Sequence, residues 1–381
     1  MTITTKPVAE IAGAGLAGLA AAAALAQRGW RVRVHEKGRE LREIGAGLYL
    51  WENALNALKE LGVYDKVSAI GVRSTRPRVL LDHKHREIDI VGPGALPELI
   101  VILRTELHRI LAERAMESGV EIVTNSPVLG ADPEGRLEFE SGMGPKVDLV
   151  VGADGVFSKV RDSLRLTTEI TDMKDGCGRH LIPRKSGDSL NEQRIEMWSG
   201  GRRVGMAPAH KDFHYVFLCC PESDIAGRLQ QPFNLEAWVS SHPWYREYLE
   251  RIPRHPEEYW RPFFNVKCSA WSRGHVCIVG DAAHGMAPNL GQGACSAIVN
   301  AVVLARAVSS DRDIPRALRA WEQSERPYID RTQFMSYLYG AIGTRWPHRL
   351  LDLRTKILPW LGKTALAQRN LRVAVDHQPA I

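Results

Sequence analysis

Three glycine-bearing strings constrain this chain more than any other feature. They are Gly13-Ala14-Gly15-Leu16-Ala17-Gly18, Gly152-Ala153-Asp154-Gly155 and Gly280-Asp281-Ala282-Ala283-His284, with 125 positions from Gly155 to Gly280. The first sits in the clearest context. Val8 to Ile11 is short and mostly apolar, as suits a buried parallel strand. The glycines follow at once, and Leu16 to Gln27 is rich in alanine and leucine, strong helix formers. Gly29 closes that helix, Arg31 to His35 reads as a second strand, and Glu36 stands at its end, 21 residues after Gly15. Glycines at this spacing allow a tight turn and a close approach of backbone to a pyrophosphate. The helix N-terminus then offers free N–H groups, and the acid meets a ribose hydroxyl. The pattern predicts a strand–turn–helix–strand unit that holds a dinucleotide.

A membrane span or signal peptide is the competing reading of Ile11 to Leu25. That run is shorter than the ~20 residues a bilayer needs, and no basic segment precedes it. No integral membrane segment is expected.

The other two strings have the same local logic. Val147 to Val151 reads as a strand, Asp154 is suited to organise the turn after it, and Val156 to Arg161 starts a helix. Arg273 to Val279 gives another strand before Gly280, and Ala282 and Ala283 let a helix come close to a bound group. His284 invites a proton-transfer reading, but its context favours packing at a helix start. Trp51 and Trp271 read as core or pocket wall.

Composition narrows the partners. The chain has 381 residues, enough for two domains sharing a large core, and 44% are hydrophobic and 25% charged. Fifty basic and 44 acidic side chains give a net charge of +6 with no basic block, so nucleic acid is not expected and anionic small molecules are. The six cysteines show no metal-ligand spacing and no Ser-His-Asp set stands out, so no metal site is expected; the thiols read as reduced and buried in a cytoplasmic protein.

The three strings together resemble the signatures of the class A FAD-dependent aromatic hydroxylases, the para-hydroxybenzoate hydroxylase fold, over nearly the whole chain. Within that family the chain is similar to bacterial oxygenases of hydroxypyridine carboxylic acids. Ile44 to Asn53, Gly152 to Val156, Ser158 to Ser163 and Trp271 to Asn300 carry that similarity. The resemblance implies an α/β fold: a Rossmann-like FAD-binding domain from 1–72, 98–172 and 265–330. A mainly antiparallel β-sheet substrate domain from 73–97 and 173–264 is inserted in it, with a helical C-terminal tail over 331–381 that Pro347 and Pro359 break.

It also implies roles. Gly13, Gly15, Ala17, Gly18 and Asp154 border the nucleotide, Glu36 and Lys37 lie at its ribose, and Arg42 faces the pyrophosphate. Arg104 lies near the flavin chain and Asp281 accepts from its ribitol. Pro288 and Gly291, Gln292, Gly293 and Ala294 run along the isoalloxazine, where they open a helix from Ala294 to Val308. Tyr49, Arg203 and Tyr215 position substrate, Arg203 as a fork for a ring carboxylate or phenolate-like oxygen and Tyr215 at a ring hydroxyl. The chain departs from those relatives at Pro77 and Phe263, where they carry pocket tyrosines.

The implied chemistry is that of a monooxygenase. NADH or NADPH, bound transiently without a Rossmann domain of its own, reduces one non-covalent FAD. O2 then gives a flavin C4a-hydroperoxide, which oxygenates a hydroxylated aromatic or pyridine-type carboxylic acid. Ring opening, simple hydroxylation of a benzenoid or hydroxynicotinate-type acid, and a flavin-binding redox module without turnover remain alternatives at this stage. A homo-oligomer is compatible with the resemblance.

Overall fold

Short buried strands and an alanine-rich helix build the nucleotide half, as the first string requires. The structure is a computed structural model that describes residues 6–41, 45–88, 97–191, 193–256 and 259–377. Its first sheet has six strands in the spatial order Ser272–Arg273, Val276–Ile278, Leu149–Gly152, Val8–Ala12, Arg31–His35 and Glu121–Val123. Val8–Ala12 pairs in parallel with Leu149–Gly152 on one side and Arg31–His35 on the other. The helix Leu16–Gln27 buries residues on every side, as one embedded in a core must. It packs against Gly293–Ser310, a helix long and apolar enough by length and composition to cross a membrane, yet mostly buried within this fold.

The second sheet also has six strands, in the order Arg261–Cys268, Thr167–Pro183, Phe213–Pro221, Arg202–Pro208, Ile195–Ser199 and Val79–Leu81. All its pairings are antiparallel except that of Val79–Leu81 with Ile195–Ser199. A three-stranded antiparallel sheet of Gly47–Trp51, Leu99–Leu103 and Val72–Arg73 lies in the order 47–51, 99–103, 72–73. The fold is therefore the mixed α/β arrangement expected. Two strands run across the expected domain limits: Thr167–Pro183 passes through 172 and Arg261–Cys268 through 264.

The helix Ile314–Thr344 likewise passes through 330 and contains Pro327. The tail beyond it is helical, over Leu351–Gly362 and Ala365–Arg372. Pro347 does stand at a helix break, but Pro359 does not, because it lies inside Leu351–Gly362. So close to the helix end, its missing N–H removes only one intrahelical bond, and the remaining turn still forms.

Candidate active site

The three glycine strings converge on one spot. Gly13 has φ 102° and its N–H donates to the His35 carbonyl at 2.8 Å. A Cβ at Gly13 would lie 2.5 Å from the Ala153 oxygen, which ties the first string to the second. A Cβ at Gly280, φ 61°, would lie 2.7 Å from the Ala17 Cβ, which ties the third to the first. A Cβ at Gly18 would meet the Gly13 oxygen at 2.0 Å, whereas one at Gly15 would meet nothing within 4 Å. Gly13 and Gly18 thus serve the turn and the packing, while Gly15 faces open space at the start of Leu16–Gln27, where a pyrophosphate would sit.

Glu36 ends its strand as expected. Its carboxylate accepts from the Ala14 N–H at 3.0 Å and the Gly38 N–H at 2.8 Å, and Lys37 beside it is exposed. Arg42 lies outside the described residues. Asp154 organises the turn after its strand: Ser158 Oγ donates to Oδ1 at 2.5 Å, and the Lys159 and Val160 N–H groups to Oδ2 at 2.7 and 3.2 Å. Its neighbours Ala153 and Gly155, rather than its own side chain, border the open space.

That space is a cavity of about 1250 Å³. Single small-molecule pockets run to roughly 300–1,000 Å³, so this one has room for more than one ligand. Gly15, Ala17, Arg104 and Asp281 line one end. Pro288, Gly291, Gln292, Gly293 and Ala294 line the middle, where the helix Gly293–Ser310 begins. Gln292 is 3% exposed and its Nε2 holds no hydrogen bond, although its Oε1 accepts from Asn53. An unpaired amide donor beside a helix N-terminus suits the polar pyrimidine edge of a flavin, so the residues present fit the implied cofactor.

The second six-stranded sheet forms the far wall. Tyr215, Phe217 and Cys219 alternate on one face of Phe213–Pro221 and line the cavity with Cys177 and Arg179 of the neighbouring strand. The Arg179 guanidinium lies against the Tyr215 hydroxyl, whose ionisation burial pushes far up. Tyr49 meets Tyr215 edge to face at 6.3 Å. Burial, opposed by Arg194, pushes the Tyr49 hydroxyl up to about 12, so it is a neutral donor at working pH. Pro77 and Phe263, the two departures, both line the same wall.

Arg203 also lines the cavity but differs from the expected fork. Its Nε and Nη2 donate to Glu196 Oε1 at 3.0 and 2.8 Å, and Nη1 to Asn289 Oδ1 at 2.6 Å. Each nitrogen of its guanidinium thus holds a partner inside the protein, and it shares Glu196 with Arg78. His284 is buried against Trp271, off the cavity, and burial lowers its pKa to about 4, which fits packing and not proton transfer. Sequence reasoning missed Arg78, Arg179, Arg194 and Glu196. A signal existed: Arg194, Glu196 and Trp198 alternate with the apolar Ile195 and Met197, the period-2 pattern of a strand with one polar face. Among the described residues, no cluster of ligating side chains could hold a metal.

A dinucleotide turn, a helix aimed at a flavin-sized space and an arginine-rich aromatic wall are the features of a flavoprotein. The sequence profile of the FAD binding domain family matches residues 5–311, and the chain belongs to that family. It is 37% identical over 345 residues to a probable 2-heptyl-3-hydroxy-4(1H)-quinolone synthase of Rhodococcus erythropolis, covering 87% of this chain and 88% of that one. It is 35% identical to the 2-heptyl-3-hydroxy-4(1H)-quinolone synthase of Mycobacteroides abscessus, covering 88% and 90%. The tetrameric form of 2-methyl-3-hydroxypyridine-5-carboxylic acid oxygenase superposes with a TM-score of 0.84 at 35% identity, covering 97% and 96% of the two chains. The chain is a class A FAD-dependent aromatic monooxygenase.

Proposed function

We propose that this monooxygenase takes electrons from NADH or NADPH and inserts one atom of O2 into an electron-rich N-heteroaromatic ring bearing an oxygen substituent, a carboxylate or a ring oxygen. The observation that carries this reading is the wall facing Gly291–Ala294: aromatic side chains for a flat ring, interleaved with arginines for its oxygens. Eight arginines and three carboxylates line the whole cavity among the described residues, an excess that suits phosphates at one end and an acceptor-rich ring at the other. Relatives named for quinolone and pyridine chemistry support the nitrogen heterocycle.

When bound, FAD supplies hydride acceptance and oxygen activation. The residues do the rest. Gly15, Arg104 and Asp281 would hold its polar chain, and the N-terminus of Gly293–Ser310 would favour negative charge at its pyrimidine edge. Tyr49, Tyr215 and Phe217 fix the plane of the substrate, and the buried wall keeps water from competing for activated oxygen. Tyr215, held by Arg179, donates to a ring oxygen. Arg203 ties the sheet to Asn289, and through it to the segment along the flavin.

Hydroxylation without ring opening is the favoured outcome. Pro77 and Phe263 bring no hydroxyl to the wall, so neither can anchor a water beside the ring, and the quinolone relatives are named for hydroxylated products. We place the enzyme in the cytoplasm and expect a homo-oligomer. The test is NAD(P)H consumption by the FAD-loaded enzyme over a panel of hydroxypyridine carboxylates, 4(1H)-quinolones and hydroxybenzoates. Acceleration of at least tenfold confined to the nitrogen heterocycles is expected; acceleration by benzenoid acids alone contradicts the proposal.

A further inference from the structure

Among the described residues, Arg194 is a buried cation without a counterion. It immediately precedes the strand Ile195–Ser199, is 7% exposed and lines the cavity. Its Nε donates to the Ser74 hydroxyl at 2.8 Å, and its guanidinium carbon stands 5.7 Å from the ring centres of both Tyr49 and Trp51. Among the described residues no carboxylate pairs with it, while Arg78 adds like charge nearby. Glu196, two residues along, is taken by Arg78 and Arg203. Burial lowers the Arg194 pKa to about 10, helped by Arg78 and opposed by Tyr49, so the group stays charged at neutral pH.

A guanidinium taken out of water normally has a carboxylate opposite it, and ring faces replace only part of the lost hydration. Trp51 Nε1 on the same wall is also buried without a hydrogen-bond partner. An unpaired indole donor and a guanidinium with no carboxylate among the described residues thus stand side by side at an aromatic cleft, a setting that suits an anionic acceptor. Tyr49 in turn abuts the turn at Gly291, where a Cβ would lie 3.0 Å from Tyr49 Cδ2. The unmet charge therefore adjoins the segment assigned to the flavin ring.

Building on the reading of this cavity as a heteroaromatic oxygenase site, we infer that Arg194, and not Arg203, anchors the anionic oxygen of the substrate, a ring carboxylate or ring oxyanion, between Tyr49 and Trp51. Arg203 is spent on Glu196 and Asn289 and holds the wall. Arg194 is the specificity-determining cation.

The test uses FAD-loaded enzyme and Arg194→Met, with Arg194→Lys as the conservative variant. Each is titrated with 6-hydroxynicotinate, 6-hydroxynicotinamide and 4(1H)-quinolone while the flavin absorbance is followed. Wild type is expected to bind at least one oxygen-anion ligand, and Arg194→Met to bind it at least tenfold more weakly with FAD affinity unchanged. Arg194→Lys should recover part of the loss. Loss confined to 6-hydroxynicotinate assigns the carboxylate to Arg194, and loss on 4(1H)-quinolone assigns the ring oxygen. The melting temperature separates a binding role from a scaffolding one, because removing an unpaired buried charge should leave it unchanged or raise it. Ligand affinities in Arg194→Met equal to wild type, a wild type that binds none of the three, or a fall in melting temperature that Arg194→Lys repairs without restoring binding would overturn the inference. The first result, with nitrogen heterocycles still turned over, would leave the oxygenase reading standing.

Discussion

Glu196 Oε1 accepts from Arg203 Nε at 3.0 Å and from Arg203 Nη2 at 2.8 Å, with both side chains 2% exposed. Arg78 reaches the other oxygen at 2.5 Å, and Tyr339 and Trp198 donate at 3.0 and 2.7 Å. Burial alone would raise the Glu196 pKa; Arg203 and Arg78 outweigh it and hold the carboxyl below the ordinary range. This network makes the substrate wall a rigid frame in which two guanidiniums share one carboxylate.

Breaking the frame at its hub is expected to cost most. Glu196→Gln leaves two buried guanidiniums without their carboxylate, and loss of one partner of such a group costs about 3–5 kcal/mol. Arg203→Met should cost less, since Glu196 keeps Arg78. Urea midpoints of the two variants give the order; a larger loss for Arg203→Met contradicts the assignment.

Gly15 and Gly18 should behave in opposite ways. Gly18→Ala places a Cβ 2.0 Å from the Gly13 oxygen and should lower the melting temperature even of FAD-free protein. Gly15→Ala meets no protein atom, so the apoprotein should melt as wild type while FAD binds at least ~10-fold more weakly, about 1.4 kcal/mol. Equal effects on FAD-free stability would show that Gly15 does not face the cofactor.

Asp281 opens the helix Asp281–His284 and borders the cavity. Losing a charged acceptor for the ribitol costs about 1.5–3 kcal/mol, so Asp281→Ala should weaken FAD roughly ten- to a hundredfold. Fluorescence titration of apoprotein measures it, and wild-type affinity would remove Asp281 from the site.

Burial lowers the pKa values of His180, His242 and His284 to about 4 each. Unfolded imidazoles titrate near ~6.5, so as pH falls the unfolded chain takes up protons first. Stability from these groups is complete above ~6.5 and is lost as pH drops towards 4. The melting temperature should fall over that window, and His284→Asn should flatten the fall. A curve level from 7 to 4.5 contradicts burial of these rings.

The nucleotide half was readable because its constraints are local: Gly13, Gly15, Gly18 and Glu36 stand at spacings that turn geometry and strand length impose. Val79–Leu81 and the Tyr215 strand were readable from apolar runs. The length of Thr167–Pro183 was not, because Gly176 and Gly178 look like breaks. They serve packing instead: a Cβ would lie 2.3 Å from Trp260 and 2.7 Å from Gln230 Oε1. The engagement of Arg203 by Glu196, which the sequence reading did not anticipate, has a traceable cause. Gly200 and Gly201, both at positive φ, turn a tight hairpin that pairs Trp198 with Arg203 and brings Glu196 within its reach. Gly-Gly between two strand-like runs signals that turn, but the pairing it creates is read only once the hairpin is folded in register.

The most direct test of the account is turnover under 18O2. The nitrogen heterocycle that most accelerates NAD(P)H oxidation is supplied to the FAD-loaded enzyme, and product and peroxide are quantified. One 18O atom in a ring-intact hydroxylated product, with peroxide a minor fraction of the NAD(P)H consumed, is the predicted result. Unlabelled ring recovered intact, with all the reducing equivalents returned as peroxide, would contradict it.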